Sequence, residues 1–355
     1  MRQGLKRFRP ILLAVLLLAG CKASAPPYKR EAYVFGTHVE VTVAGLPEEQ
    51  AEHVVRSVLA DLDQLHVKLH PWRQDGALFK VNQAIAAGRP ATVDAELAGL
   101  IRDGARFESW SDGLFAPGIG KLVALWGFHA DSFAPVTPDP AEVARLAASR
   151  PSLADLTIDG DRLTSRNREL SLDFGGYTKG LALDRARREL LAAGVRSVLV
   201  DIGGDVIALG KQPDGTPWKV AIQHPRKSEA MAVLALADGE AVATSGDYQR
   251  YFSDRGGRHC HLVDPRDGST DCKLQAVTVL MPAGPEAGAR ADVAGKPIYF
   301  AGPAGAGRYA ARFGTPYVLL IDADGTAWVS PAFDKRLEWL AAAPKQRRTL
   351  AMQLS

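Results

Sequence analysis

Between residues 155 and 280 the chain offers eight short β-like runs, near 155–158, 170–174, 196–202, 205–210, 217–222, 231–236, 259–263 and 275–280, and only one strong helix, at about 179–193. A doubly wound parallel sheet needs a helix after nearly every strand, so this order excludes it. Helices belong elsewhere. Pro47 opens a run in which Val54, Val55, Val58, Leu59, Leu62 and Leu65 recur at helical spacing. Helical patterns return near 94–109, 118–126, 286–300 and 305–313, and strand-like runs close the pattern at 316–321 and 326–329. Tyr33, Phe35, Thr37, Val39, Val41 and Val43 alternate with other residues, which predicts a strand before the first helix. Ala134 to Pro140 reads as a proline-rich loop. The fold class is therefore mixed α/β (α+β), with a more helical first part and a β-rich second part. Hydrophobic residues make up 46% of the chain, enough for one large domain or two intimate lobes.

The first residues do not belong to that core. Arg2, Lys6, Arg7 and Arg9 form a basic start, Ile11 to Leu18 a short apolar run, and Leu18-Ala19-Gly20-Cys21 a small-residue cleavage site with a cysteine just past the cut. This is the order of an export signal. The run is shorter than the ~20 apolar residues needed to span a bilayer. Residues 1–20 are expected to be removed, leaving Cys21 as a lipidated N-terminus on the periplasmic side of a bacterial membrane and 21–30 as a tether. Lys22 occupies the position where an aspartate signals inner-membrane retention. That leans towards the outer membrane. The signal also explains the charge. The chain has 43 Lys+Arg against 40 Asp+Glu, and removing four basic residues and no acid leaves 39 against 40. A mature net charge of −1 gives no support to nucleic-acid binding. Cys260 and Cys272 remain; a disulfide and two free thiols both suit an oxidising compartment.

Five later segments can carry chemistry. In Ser171-Leu-Asp173-Phe-Gly175-Gly176-Tyr-Thr178-Lys179-Gly180 an acid and a glycine pair precede a lysine that opens a helix. Backbone N–H groups, the helix N-terminus and Lys179 together make a sensible phosphate cradle, although neither a P-loop nor a G-x-G-x-x-G fingerprint is present. Gly203-Gly204 reads as a tight hairpin between Asp201 and Asp205. Thr244-Ser245-Gly246-Asp247-Tyr248 follows an apolar strand and reads as a strand-end turn. His259 and His261, spaced to face one way on a strand, lack the further ligands of a zinc site, whereas a neutral imidazole suits a general base. Asp292 lies among small apolar residues and needs a partner there, such as a metal, a helix N-terminus or Lys296.

Taken in order, these segments resemble the FAD:protein FMN transferases of the ApbE family over about 33–330. The resemblance begins at Phe35-Gly36-Thr37. It continues through Ser111-Asp-Gly113-Leu-Phe115-Ala116-Pro117, Leu122-Val-Ala-Leu-Trp126-Gly127-Phe128 and Asp173-Phe-Gly-Gly-Tyr-Thr-Lys179-Gly180. Gly203-Gly204-Asp205, Thr244-Ser245-Gly246-Asp247-Tyr248 and His261-Leu-Val-Asp264-Pro265-Arg266 complete it.

The resemblance implies a two-lobed domain over 31–335, with FAD in a cleft between the lobes and a basic tail over 336–355. It implies transfer of FMN from FAD to a threonine hydroxyl of an extracytoplasmic acceptor, with release of AMP. The expected acceptors are flavin-carrying subunits of membrane redox complexes. His261 is implied as the base. Phe35, Trp72, Leu114, Phe115, Ala116, Asp173, Lys179 and Val263 are implied as flavin and adenine contacts, and Gly176 and Asp292 as holders of Mg²⁺. Two positions depart from the family pattern. Ala116 stands where Asp or Asn is usual, and Lys296 where a metal-holding threonine is usual. These departures define an expected variant subgroup with a weaker or altered metal requirement. They also keep two alternatives in view: an FAD-binding lipoprotein without transferase activity, and an FAD pyrophosphatase giving FMN and AMP.

Overall fold

A nine-stranded sheet forms the spine of the molecule. The computed structural model describes residues 26–129, 135–254 and 257–352; the export signal and Cys21 lie outside the described residues. In spatial order the strands are Tyr28–Val34, Thr37–Val43, Val198–Ile202, Asp205–Leu209, Ala241–Gly246, Leu274–Met281, Tyr317–Asp322, Ala327–Val329 and Arg347–Thr349. Every neighbouring pair is antiparallel except the last, which is parallel.

Side chains of the central strands alternate between two cores, as the period of two requires. Ile207, Leu209, Val277, Val279, Val318 and Leu320 face the helical side. Val206, Ala208, Ala276, Leu280, Leu319 and Ile321 face the other side, where a three-stranded sheet of Trp218–Gln223, Ala230–Leu236 and Leu337–Trp339 covers them. Leu274–Met281 is buried along its whole length and presents apolar residues to both faces, with Gln275 and Thr278 as its buried polar members. The helical side carries Glu48–Leu69, Ala95–Trp110, Thr178–Ala192 and Ala287–Phe313, whose apolar stripes meet in one core.

The structure differs from the sequence reading at several points. The run at 170–174 is not a sheet strand. Leu170, Leu172 and Phe174 are fully buried, but the segment pairs only through a bridge between Ile119 and Ser171. Helices Ala77–Ala86 and Pro140–Ala148 were not expected, the second starting where the proline-rich loop ends. The two helical signals at 286–300 and 305–313 join into one element with a kink at Gly302, whose φ of 63° is open to glycine. Tyr28 already begins a strand inside the expected tether, and the segment read as a tail supplies Leu337–Trp339, Arg347–Thr349 and a buried Leu350. No helix among the described residues is long and apolar enough to cross a membrane.

Candidate active site

The site assembles at one end of the large sheet, where two hairpin turns, a strand end and a helix N-terminus meet. Phe35 and Gly36 form the turn between the first two strands, with φ of 57° and 69°. Positive φ at both positions is the turn type that suits a two-residue hairpin. Phe35 holds it at a cost of ~1–2 kcal/mol that a glycine would avoid. Its ring meets His66 edge-on at 5.7 Å. Gly203 and Gly204 make the equivalent turn next door, as expected, and Gly203 lies so close to Thr37 that a Cβ would strike its side chain.

That second turn places Asp205, the residue sequence reasoning undervalued. Asp205 is 1% exposed and accepts from Lys179 Nζ at 2.7 Å and from the backbone N–H of Thr244 at 3.1 Å. Burial pushes its carboxyl up to about 6, with Asp292 adding to the shift and Lys179 opposing it. Burial works against the Lys179 charge, but Asp205 and Asp292 hold it above the usual lysine range. At neutral pH the two therefore form an ion pair that fixes Lys179 at the start of the Thr178–Ala192 helix.

Asp292 faces the same helix start. It is 1% exposed, and its two carboxylate oxygens are both engaged. Oδ2 accepts from the Gly180 N–H at 3.0 Å, and Oδ1 accepts from Lys296 Nζ one helical turn away. Lys296 Nζ also donates to the Asp292 carbonyl at 2.7 Å. Gly180 has to be glycine, because a Cβ would overlap Gly288 O and lie 2.7 Å from Asp292 Cβ. Two helices thus touch backbone to backbone at the acid. A Cβ on Gly176 would lie 3.3 Å from Lys296 Cε and 3.7 Å from the Phe115 ring, so Gly176, Phe115 and Lys296 share one spot.

The implied Mg²⁺ does not fit these residues. It is usually held by one or two carboxylates, with waters and substrate phosphates filling the rest of its octahedron. Here an ammonium sits on the one carboxylate offered.

His261 does not lie on a strand with His259. The strand Gly257–Cys260 ends before it. His259 is sandwiched between Trp126 and Phe252 and bonds Thr270 and Asp254, so it is a structural residue. His261 bonds the Arg250 carbonyl through Nδ1 at 3.2 Å. A carbonyl oxygen only accepts, so Nδ1 carries the proton and Nε2 keeps its lone pair. His261 keeps part of its surface open to solvent, yet the protein packed around it, with Arg250, Lys296 and Lys179 adding positive charge nearby, pushes the imidazole down to about 3. It is neutral at physiological pH.

The motifs around His261 build its support. Trp126 Nε1 donates to the Gly268 carbonyl at 2.8 Å, and Arg250 Nη2 to the Phe128 carbonyl at 3.1 Å. Asp264 takes Arg266 in two bonds and Lys273 in a third, which hold its carboxyl at about 2 despite burial and lock the turn after His261. Asp247, 1% exposed, accepts a bidentate pair from Arg226 at 2.6 Å. Cys260 and Cys272 both carry free thiols.

The other implied contacts come from separate segments of the chain. Leu114 and Phe115 are buried behind a turn in which Ser111 Oγ accepts from the Phe115 N–H at 2.9 Å; Ala116 follows, half-buried. Asp173 accepts from the Gly175 N–H at 2.7 Å, and burial raises its carboxyl. Trp72 is half-buried and packs on His129 at 5.3 Å. Val263 turns its side chain into a small core with Leu122 and Leu146, so it offers a ligand backbone rather than side chain. A hollow of about 410 Å³ lined by Lys273, Phe300, Gly302 and Asp324 contains none of these residues.

Comparison with known proteins gives a consistent answer. The chain is 40% identical over 332 residues to an FAD:protein FMN transferase of Rhodobacter capsulatus, covering 92% of this chain and 62% of that one. It spans less than two thirds of that relative's length. A second such transferase, from Klebsiella pneumoniae, is 32% identical over 343 residues, covering 92% of this chain and 96% of the other. Among solved structures, the ApbE protein of Thermotoga maritima superposes with a TM-score of 0.79 at 26% identity, over 87% of this chain and 99% of that one. The flavinyl transferase ApbE of Pseudomonas stutzeri, in apo form, superposes with a TM-score of 0.73 at 29% identity, over 89% and 99%. The ApbE family profile matches residues 35–319, and with the fold and the order of motifs in agreement, the chain belongs to the ApbE family.

Proposed function

We propose that this protein transfers FMN from FAD to a threonine hydroxyl of an acceptor protein and releases AMP. The observation that carries the reading is a neutral His261, with Nε2 available, within reach of the charges of two half-buried lysines, Lys179 and Lys296, each held by its own carboxylate. The geometry suits an in-line displacement at a phosphorus atom, which needs positioning and charge more than covalent chemistry. The threonine oxygen forms a bond to the phosphorus on the FMN side of the pyrophosphate. The bond from that phosphorus to the bridging oxygen breaks, and the oxygen leaves with its electron pair as part of AMP. His261 Nε2 takes the hydroxyl proton. Two phosphate charges entering between Lys179 and Lys296 offset the cations that depress His261, so its basicity rises as FAD binds.

Phe35, Trp72, Leu114, Phe115, Ala116, Asp173 and the Val263 backbone are assigned to the flavin and adenine ends. Trp72 supplies an aromatic plane for stacking. The basic start, short apolar run and Leu18-Ala19-Gly20-Cys21 support a lipid anchor at Cys21 and a periplasmic position. They direct the reaction to acceptors at the same membrane surface, the flavin-carrying subunits of redox complexes. The test is incubation with FAD and a threonine-bearing acceptor domain, followed by intact mass. An acceptor heavier by one esterified FMN supports transfer. Free FMN with AMP indicates hydrolysis, and intact FAD indicates binding alone; either result refutes the assignment.

A further inference from the structure

Lys296 opposes the role implied for its position, and its surroundings show what it does instead. Its ammonium has three N–H donors. One goes to Asp292 Oδ1 and one to the Asp292 carbonyl. The third is left for a group entering the site, and the side chain is 12% exposed. Gly176 leaves the lysine stem room, since a side chain there would press on Cε. The buried carboxylates of Asp292 and Asp205 are each matched by one lysine, so the site is close to electrically balanced before any ligand enters. A divalent ion at Asp292 would have to displace an ammonium and then sit beside it, like charge against like charge.

We propose that the Lys296 ammonium, clamped on Asp292, is the built-in cation of this site: it neutralises the FAD pyrophosphate, and this protein needs no divalent metal for transfer. This rests on the FMN-transfer reading above. In the step itself Lys296 meets the charge that develops on the leaving AMP oxygen, while His261 holds the threonine proton.

The test uses the purified protein, its Lys296→Thr and Lys296→Met variants, FAD and a threonine acceptor, each with EDTA or with Mg²⁺. FAD affinity is followed in parallel by flavin fluorescence. The parent should transfer FMN equally well in EDTA and in Mg²⁺ and bind FAD with the same affinity in both. Lys296→Thr should lose ~10²-fold in EDTA and recover with Mg²⁺. Lys296→Met should lose as much with no recovery. A parent that stops in EDTA and is restored by Mg²⁺ overturns the proposal, as does a Lys296→Met variant that works normally in EDTA. If no FMN reaches the acceptor under any condition, the transfer reading fails, and the FAD titrations decide the charge assignment separately. Metal-independent binding weakened by Lys296→Met supports it, and parent binding that requires Mg²⁺ overturns it.

Discussion

Replacing Gly180 by alanine tests the helix contact on which the site is built. A Cβ at 180 would lie 2.7 Å from Asp292 Cβ and overlap Gly288 O, where carbon atoms normally stop at ~3.5–4.0 Å. The helices Thr178–Ala192 and Ala287–Phe313 must therefore move apart by roughly 1 Å, since packed interiors have no slack to absorb the methyl. Overpacking of this kind costs about 1–3 kcal/mol. Stretching the charge-assisted bond from the Gly180 N–H to Asp292 forfeits up to ~1.5–3 kcal/mol more, while alanine returns ~1 kcal/mol of helix propensity. The expected net loss is ~2–5 kcal/mol, a large part of a usual folding stability. Asp292 and the Lys296 it holds shift with the helix, so transfer should fall further than stability alone explains. Gly194→Ala is the control. Its φ is +81° and nothing lies within 4 Å of an added Cβ, so it should cost ~1–2 kcal/mol of backbone strain and leave transfer intact. Urea unfolding of the two variants, with transfer rates at a denaturant-free temperature, reads both effects. A Gly180→Ala protein as stable and as active as the parent would refute the reasoning.

Other outcomes follow from the same geometry. His261→Ala should reduce transfer by ~10²–10⁴-fold while FAD affinity, measured by titration, changes little. Asp184 is buried and accepts from the Gly288 and Ala289 N–H groups at 2.8 Å, capping the start of the long kinked helix, and burial pushes its carboxyl up to about 7. Its native form therefore holds a proton that the unfolded chain has lost above the usual carboxylate range, so its contribution is largest at low pH and declines as pH rises from about 4 to about 7. Asp184→Asn should flatten that part of the urea-midpoint profile, and an unchanged slope would show that Asp184 does not titrate there. Trp126→Phe keeps an aromatic ring but removes the bond to Gly268, costing ~0.5–1.5 kcal/mol; a raised KM or lowered kcat beyond that would mark Trp126 as a positioning residue for His261.

Much of the site was legible because its residues sit in short local patterns. The Asp-Phe-Gly-Gly segment leading into Lys179 announced a helix start, and Gly203-Gly204 announced a two-residue turn, since each depends on neighbours within a few positions. Partners far apart in the chain were not legible. The sequence allowed three partners for Asp292, and the fold supplied two of them, the helix N-terminus and Lys296. It left Asp205 as one of two possible acids, and only the pairing of its strand with Ala241–Gly246, beside the helix that carries Lys179, selects it. His259 and His261 look equivalent at a spacing of two, yet the strand ends between them and sends one into an aromatic stack and the other to Arg250. The run at 170–174 misled because complete burial and strand periodicity look alike over five residues.

The most direct measurement is intact mass of a threonine-bearing acceptor after incubation with this protein and FAD in EDTA. The account predicts an acceptor carrying one esterified FMN, AMP released in equal amount, and no gain on adding Mg²⁺. An acceptor that stays unmodified in EDTA and gains FMN only with Mg²⁺ would contradict the assignment of Lys296 as the cation of the site.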